Sequence, residues 1–338
     1  MSGAEIVVAK LAGGALFRFG VKRLVAAMTQ FLESNDARLR DAWELERRDH
    51  VVRKLFWLEE TVVDLGARIA DLGSKIDVQA DDPQLYRVWD NFVYESIREA
   101  IAERREMLAA ADAGIVDPTL TIEQKARVER TLRQLDPADV RALFGFELIG
   151  NAGGHRERDE VYQLWKRMPN GDVLVSSGCL RLNPEPLAGA GGAGKPIPEV
   201  TPLGRNVLRV LRVYVRKRGP SFEIPGRPPA SDEQTRQEVC TRLDAVAGLR
   251  DLLEWVRHAD FVSFAAPKRG GEARLEAYFD AETLLGRVKG LVDAVDLAVA
   301  PVRVAVEQQS AHAFVKFEGP FEVLRVVADD AWARWIWT

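Results

Sequence analysis

Between Val51 and Ile76 the apolar residues Val51, Leu55, Leu58, Val62, Leu65, Ile69, Leu72 and Ile76 follow one another at alternating steps of four and three. An α-helix gathers such residues into one continuous seam, whereas a strand would throw them to opposite faces. With Glu, Arg and Asp flanking the seam, the stretch from about 36 to 77 predicts one long helix with a coiled-coil face. After Asp81-Asp82-Pro83, a break followed by a helix start, Leu85, Trp89, Phe92, Val93, Ile97, Ile101 and Leu108 continue a helical pattern to about 113. The two helices then close as an antiparallel hairpin. Either they bury their seams on each other, with help from the N-terminal segment, or the first seam pairs across a dimer axis. In the dimer, Leu55, Leu58, Val62, Leu65, Ile69 and Leu72 are the oligomerisation residues.

The chain has 338 residues. That length exceeds the size at which single cores stop growing, so two or three domains are expected. Its balance of 47% hydrophobic and 29% charged residues is that of a soluble globular protein. A net charge of −4 excludes coating of nucleic acid by bulk attraction and confines any such role to one face. Cys179 and Cys240 lie far apart with no ligand at metal spacing, which argues against a disulfide framework or zinc site and for the reducing cytoplasm. His50, His155, His258 and His312 fall in four different elements, and Cys179 has no recognisable base. A non-enzymatic protein without cofactor or small-molecule substrate is therefore expected. An enzyme would need a polar pocket around Arg303, Glu307 or His312.

Between Glu5 and Glu33 there is no acidic residue. Val7, Leu11, Phe17, Val21, Leu24, Val25, Met28, Phe31 and Leu32 roughly form a helical stripe against Lys10, Arg18, Lys22 and Arg23. This amphipathic basic helix lacks the run of about 20 apolar residues that spans a bilayer and the marks of a signal peptide. It docks on the rest of the protein or on a second copy; alternatively, Lys10, Arg18, Lys22 and Arg23 contact the inner membrane face.

In the middle region, Thr121-Ile122-Glu123-Gln124 opens a helix to Leu135, and Asp136 with Pro137 caps another to Leu148. A third runs from Asp159 to Met168. Strands near Gly178–Leu182 and Ile197–Val200 flank the glycine-rich stretch 188–194, and Thr201 with Pro202 starts a closing helix. This order predicts a winged-helix-like domain. Gly189 to Lys195 imitates a phosphate-binding loop, but Pro196 and Pro198 stand where a hydroxyl and a helix are needed. On the closing helix Arg205, Arg209, Arg212 and Arg216 recur at steps of four, three and four, followed by Lys217 and Arg218. A single helix puts the four arginines on one face, a cationic stripe for nucleic acid or an acidic protein. The competing reading pairs the stripe with the acidic face of the N-terminal hairpin.

Prolines 220, 225, 228 and 229 mark a linker. Beyond it a helix is expected over 232–257 and another over 282–297. Strands are expected at Phe261–Phe264, Leu275–Phe279, Val302–Val306, Ala313–Phe317 and Phe321–Val326. The tail Trp332-Ala333-Arg334-Trp335-Ile336-Trp337 packs on this sheet or inserts into a partner. The fold class is thus multidomain α+β: helical coiled-coil domain 1–116, winged-helix-like domain 117–218, Pro-rich linker 219–231 and a C-terminal α+β sandwich with an antiparallel sheet, 232–338.

Over residues 36–215, the charged coiled-coil helix, the helix ending at Leu108-Ala109-Ala110-Ala111, the phrase Thr131-Leu132-Arg133-Gln134-Leu135-Asp136-Pro137-Ala138-Asp139 and Val200-Thr201-Pro202-Leu203-Gly204-Arg205 resemble bacterial abortive-infection alpha-type proteins, which are associated with phage resistance. The resemblance implies a phage-defence role and supplies no catalytic residues. Two expectations follow: a cytoplasmic binding or adaptor protein that forms homo-oligomers through its N-terminal helices, or a membrane-acting defence effector using the basic N-terminal helix.

Overall fold

A computed structural model describes residues 40–69, 72–80, 82–150, 155–169, 171–183, 196–224, 227, 229–267, 271–280, 290–297, 300–309 and 312–337. The fold is α+β. It divides into two compact units: one comprises Met1–Leu65, Asp71–Glu147 and Val161–Phe222, the other Gly66–Ala70, Leu148–Glu160 and Glu223–Thr338. Residues on both sides of the boundary expected between 116 and 117 lie in the first unit. No helix among the described residues is long and apolar enough to cross a membrane. The basic stripe containing Lys10, Arg18, Lys22 and Arg23 and the glycine-rich stretch 188–194 lie outside the described residues.

In the first unit, α1 (Arg40–Arg68) stops short of the expected end and α2 (Leu72–Ala80) resumes after a break. Gly66 and Gly73, poor helix formers, bracket that break. Leu58, Val62, Leu65, Ile69 and Leu72 are all buried within the single chain. Their burial agrees with the alternative in which the helices of one chain bury the seam among themselves. Nothing is described of the side chain of Leu55.

Helix α3 (Pro83–Arg98) starts as its sequence dictates, with Asp82 accepting the Gln84 amide at 2.8 Å and Pro83 in the first turn. It ends at Glu99, whose backbone is extended, so the helix expected to run on to about 113 restarts as α4 (Ala102–Gly114). Helix α5 (Ile122–Leu132) has the capping box of Thr121 and Gln124. After α6 (Pro137–Ile149), α7 (His155–Arg167) and α8 (Gly171–Ser176), β1 (Leu180–Asn183) pairs antiparallel with β2 (Ile197–Val200). The closing segment consists of α9 (Pro202–Val210) and α10 (Arg212–Arg218), separated at Leu211, where φ is −96° and ψ 17°.

The second unit holds α11 (Glu233–Asp244) and α12 (Leu249–Trp255). The helix expected to run to Arg257 stops at Asp244, and Gly248, with φ of +75°, turns the chain into the next one. Strands β3 (Phe261–Ala266), β4 (Ala273–Asp280), β5 (Arg303–Gln309), β6 (His312–Gly319) and β7 (Arg334–Trp337) form one sheet in the order β5-β6-β4-β3-β7. All pairs are antiparallel except β3 with β7. The expected strand at Phe321–Val326 is instead α13 (Phe321–Asp330). Val323, Leu324, Val326, Val327 and Ala328 are buried, which suits a helix laid on a sheet as well as a strand within one. The tryptophan-rich tail becomes the parallel edge strand β7, with Trp335 edge-on to Phe264 at 4.4 Å.

The proline-rich segment is docked at both ends rather than left as a free spacer. In the first unit Arg141 donates to the carbonyls of Gly219 (3.0 Å) and Pro220 (3.2 Å), and Phe222 packs 5.4 Å from Phe146. In the second, Arg325 donates to the Pro229 carbonyl at 2.5 Å, and Asp329 accepts from the amide and hydroxyl of Ser231.

Candidate functional site

Helix α9 is positioned by its cap and by two close approaches. Thr201 Oγ1 accepts the Gly204 amide at 3.1 Å and donates to the Gly178 carbonyl at 2.6 Å. A Cβ on Gly204 would fall 2.4 Å from the Cys179 carbonyl oxygen, and one on Gly114 would fall 1.8 Å from that of Val210. Backbone therefore meets backbone on both sides of α9, and no side chain fits between.

This placement decides the fate of the basic stripe. Arg205 faces Glu147 at 3.4 Å, Arg209 lies 4.0 Å from Asp117, and Arg212 pairs with Asp64 at 3.1 Å. Lys217 pairs with Glu60 at 2.8 Å while its ammonium sits 4.7 Å above the Phe56 ring, and Arg218 pairs with Glu106. Arg216 is half-buried on α10. The break at Leu211 turns α10 relative to α9, so carboxylates from α1, α4, α6 and the turn after α4 share the stripe. The Arg212–Asp64 pair is the sheltered one, with its side chains 12% and 11% exposed. The outer ends of Arg205, Lys217 and Arg218 stay open to solvent.

A second constellation escaped sequence reasoning. His50 Nδ1 lies 2.7 Å from Ser96 Oγ and its Nε2 3.2 Å from Asp112 Oδ2, while Lys54 Nζ is 2.7 Å from that same oxygen. Burial alone would raise the Asp112 carboxyl, but the Lys54 charge and the hydrogen bond from His50 together hold it below the usual carboxylate range. An ionised Asp112 makes His50 Nε2 the donor, and Nδ1 shares a hydrogen bond with the Ser96 hydroxyl. The order is that of a serine–histidine–aspartate relay. None of the four side-chain groups belongs to a residue more than 4% exposed, so the relay is sealed from substrate and acts as a polar lock between α1, α3 and α4. Only the helical spacing of His50 and Lys54 was available as a signal.

Lys125 on α5 is also fully buried, with Nζ donating to Gln79. Gln79 in turn donates to the carbonyls of Pro118 (3.1 Å) and Leu120 (3.3 Å). Burial pushes the ammonium down to about 8 against the attraction of Asp117.

In the second unit the two faces of the sheet differ among the described residues. Val262, Phe264, Leu275, Ala277, Phe279, Val315 and Phe317 enter the core with the helices. The alternate positions Phe261, Ser263, Arg274, Glu276, Tyr278, Phe314, Lys316, Glu318, Arg303 and Glu307 are all at least partly exposed. Register sets Phe261 opposite Tyr278 and Tyr278 opposite Phe314, a row of rings across three adjacent strands. Tyr278 and Phe314 meet edge-on at 5.3 Å. Beside the row, Lys316 pairs with Glu307 at 2.7 Å, while Glu318 bridges Arg274 (3.0 Å) and Arg303 (3.2 Å). Hydrogen bonds from Arg303 and Arg274 lower the Glu318 carboxyl. Arg303 and Glu307 thus belong to an open, charge-balanced face. Among the described residues no group of His, Cys, Asp and Glu is arranged to hold a metal ion.

Comparison with protein-family models, with curated proteins and with solved structures returns no match for this chain.

Proposed function

We propose that this is a non-enzymatic binding protein that takes single-stranded nucleic acid on the open face of its C-terminal sheet. The observation that carries the reading is the row Phe261, Tyr278 and Phe314 on adjacent strands, on a face whose side chains are at least partly exposed. Strands about 4.8 Å apart present neighbouring rings to successive bases. Each base stacked on such a ring contributes about 1–3 kcal/mol without regard to sequence. The cations beside the row are already paired with glutamates, so few counterions are released and the salt dependence is shallow.

The resemblance of residues 36–215 to abortive-infection proteins supports a place in cytoplasmic phage defence. The order of helices, hairpin and closing helices supports a winged-helix reading of 117–218. A second interface, on the solvent ends of Arg205, Lys217 and Arg218, is favoured by their exposure despite their partners. The burial of the α1 seam within the chain favours a contact through other surfaces over one through that seam.

Fluorescence anisotropy with labelled single-stranded RNA, single-stranded DNA and duplex DNA, at low and physiological salt, tests the reading. Single strands are expected to bind with a shallow salt slope, and Phe261→Ala to weaken binding about tenfold, the equivalent of one lost stack. Absence of binding at low salt overturns it. Binding that collapses with salt and is lost in the Arg205→Ser, Lys217→Ser, Arg218→Ser variant moves the interface to the closing helices.

A further inference from the structure

The sheet of the second unit ends on β5, and among the described residues no strand pairs with its outer edge. An edge of this kind leaves alternate amides and carbonyls without ladder partners, a hazard that natural sheets blunt with short strands, prolines or bulges. β5 has none of these. It runs from Arg303 to Gln309 without a proline, and its register against β6 is unbroken from Arg303 opposite Glu318 to Gln309 opposite His312. Val304 and Val306 pack against the core yet stay only partly buried. Arg303, Ala305 and Glu307 alternate with them on the outward face, where the Arg303 side chain is 68% and that of Glu307 44% exposed.

This edge is complementary to itself. Two copies of β5 running antiparallel about a twofold axis at Ala305 set Arg303 of each opposite Glu307 of the other, Val304 opposite Val306, and Ala305 opposite its own copy. The small Ala305 side chain leaves the axis uncrowded. A slip of one residue would turn the valines of one copy toward the other's outward face. Centring on Val304 or Val306 instead would take Arg303 away from Glu307. Within each chain Arg303 pairs with Glu318 and Glu307 with Lys316. The join therefore builds rows of alternating charge, from Glu318 through Arg303 to Glu307 and Lys316 of the second copy.

We propose that β5 is a self-association edge, on which two copies of this chain pair antiparallel about Ala305 and merge their sheets. The main-chain ladder supplies the attraction and the Arg303–Glu307 opposition fixes the register. The seam is short, so the dimer is reversible and forms at about 10–100 µM. The contact is made by the strand edge rather than by the ring row, and it stands independently of the nucleic-acid reading.

Sedimentation velocity of the full chain from about 1 to 200 µM tests it, and the wild type is expected to pass from monomer to dimer over that range. Arg303→Glu sets like charges opposite each other at both ends of the seam, and so does Glu307→Arg. Each variant alone is expected to self-associate at least about tenfold more weakly, with unchanged far-ultraviolet circular dichroism because both positions are exposed. Mixed in equal amounts, the two variants oppose unlike charges again, and a heterodimer close to wild-type affinity is expected. A wild type that stays monomeric throughout the range overturns the proposal. So does a dimer indifferent to both substitutions, or a pair of weakened variants that fails to associate on mixing.

Discussion

Lys125 couples a buried charge to the stability of the first unit. Its ammonium titrates near 8 in the folded chain and near 10.5 when unfolded. Between these values the unfolded state binds more protons, so this residue's contribution makes stability rise with pH across that window. Lys125→Met removes the contribution. The stability of the wild type relative to Lys125→Met is expected to grow by up to about 3 kcal/mol from pH 7.5 to 10, read from urea midpoints of both proteins. A constant difference refutes it. Asp112 has the opposite sign: its folded carboxyl lies below the ordinary value, so its contribution is present at neutral pH and lost as pH falls below about 4. Asp112→Asn is expected to destabilise at pH 7 by about 3–5 kcal/mol, through the uncompensated Lys54 ammonium, and to flatten the acid limb of the stability profile. An unchanged acid limb counts against the polar lock. His50 and Lys54 are legible as neighbours on a helix. Ser96 and Asp112 are 46 and 62 residues from His50, and no periodicity reports such a pairing.

Among the elements, α9 depends most on the absence of side chains. The methyl of Gly114→Ala would overlap the Val210 carbonyl, a backbone group that cannot rotate away. The variant is expected to lose about 2–4 kcal/mol, with hydrogen-exchange protection falling first in α9 and α10. Retained protection there would show that α4 and α9 part without cost. The ion pairs on the same segment differ by burial. Arg212→Ser is expected to lower stability by about 2 kcal/mol because a sheltered ion pair is broken, whereas Arg205→Ser at a solvent-exposed pair costs under about 0.5 kcal/mol. Equal melting shifts would contradict that ranking. Element starts were legible where a side chain makes the cap, as at Asp82, Thr121 and Thr201. Interior breaks after Arg68, at Glu99 and at Leu211 were not, because the apolar pattern continues through them and packing decides where the helix turns.

At the scale of the whole molecule, the two units carry separate cores, and each end of the proline-rich segment is tied to one of them. Asp329→Asn weakens the clasp on Ser231 and Arg227. It is expected to speed hydrogen exchange in α13 and the C-terminal sheet by at least about fivefold while leaving α3 to α6 unchanged. A uniform change would mean that the units unfold as one. The sequence by itself determined the α+β class, the capped helix starts and most of the C-terminal strands. These follow from interactions within a few residues: hydrophobic period, cap chemistry and the fixed φ of proline. Only the tertiary structure decided that the α1 seam lies inside the chain, that five basic side chains meet carboxylates from other elements, that Phe321–Asp330 is a helix and that three rings line up across the sheet. Each of these rests on contacts between residues far apart in sequence, where burial and register rather than local preference carry the free energy.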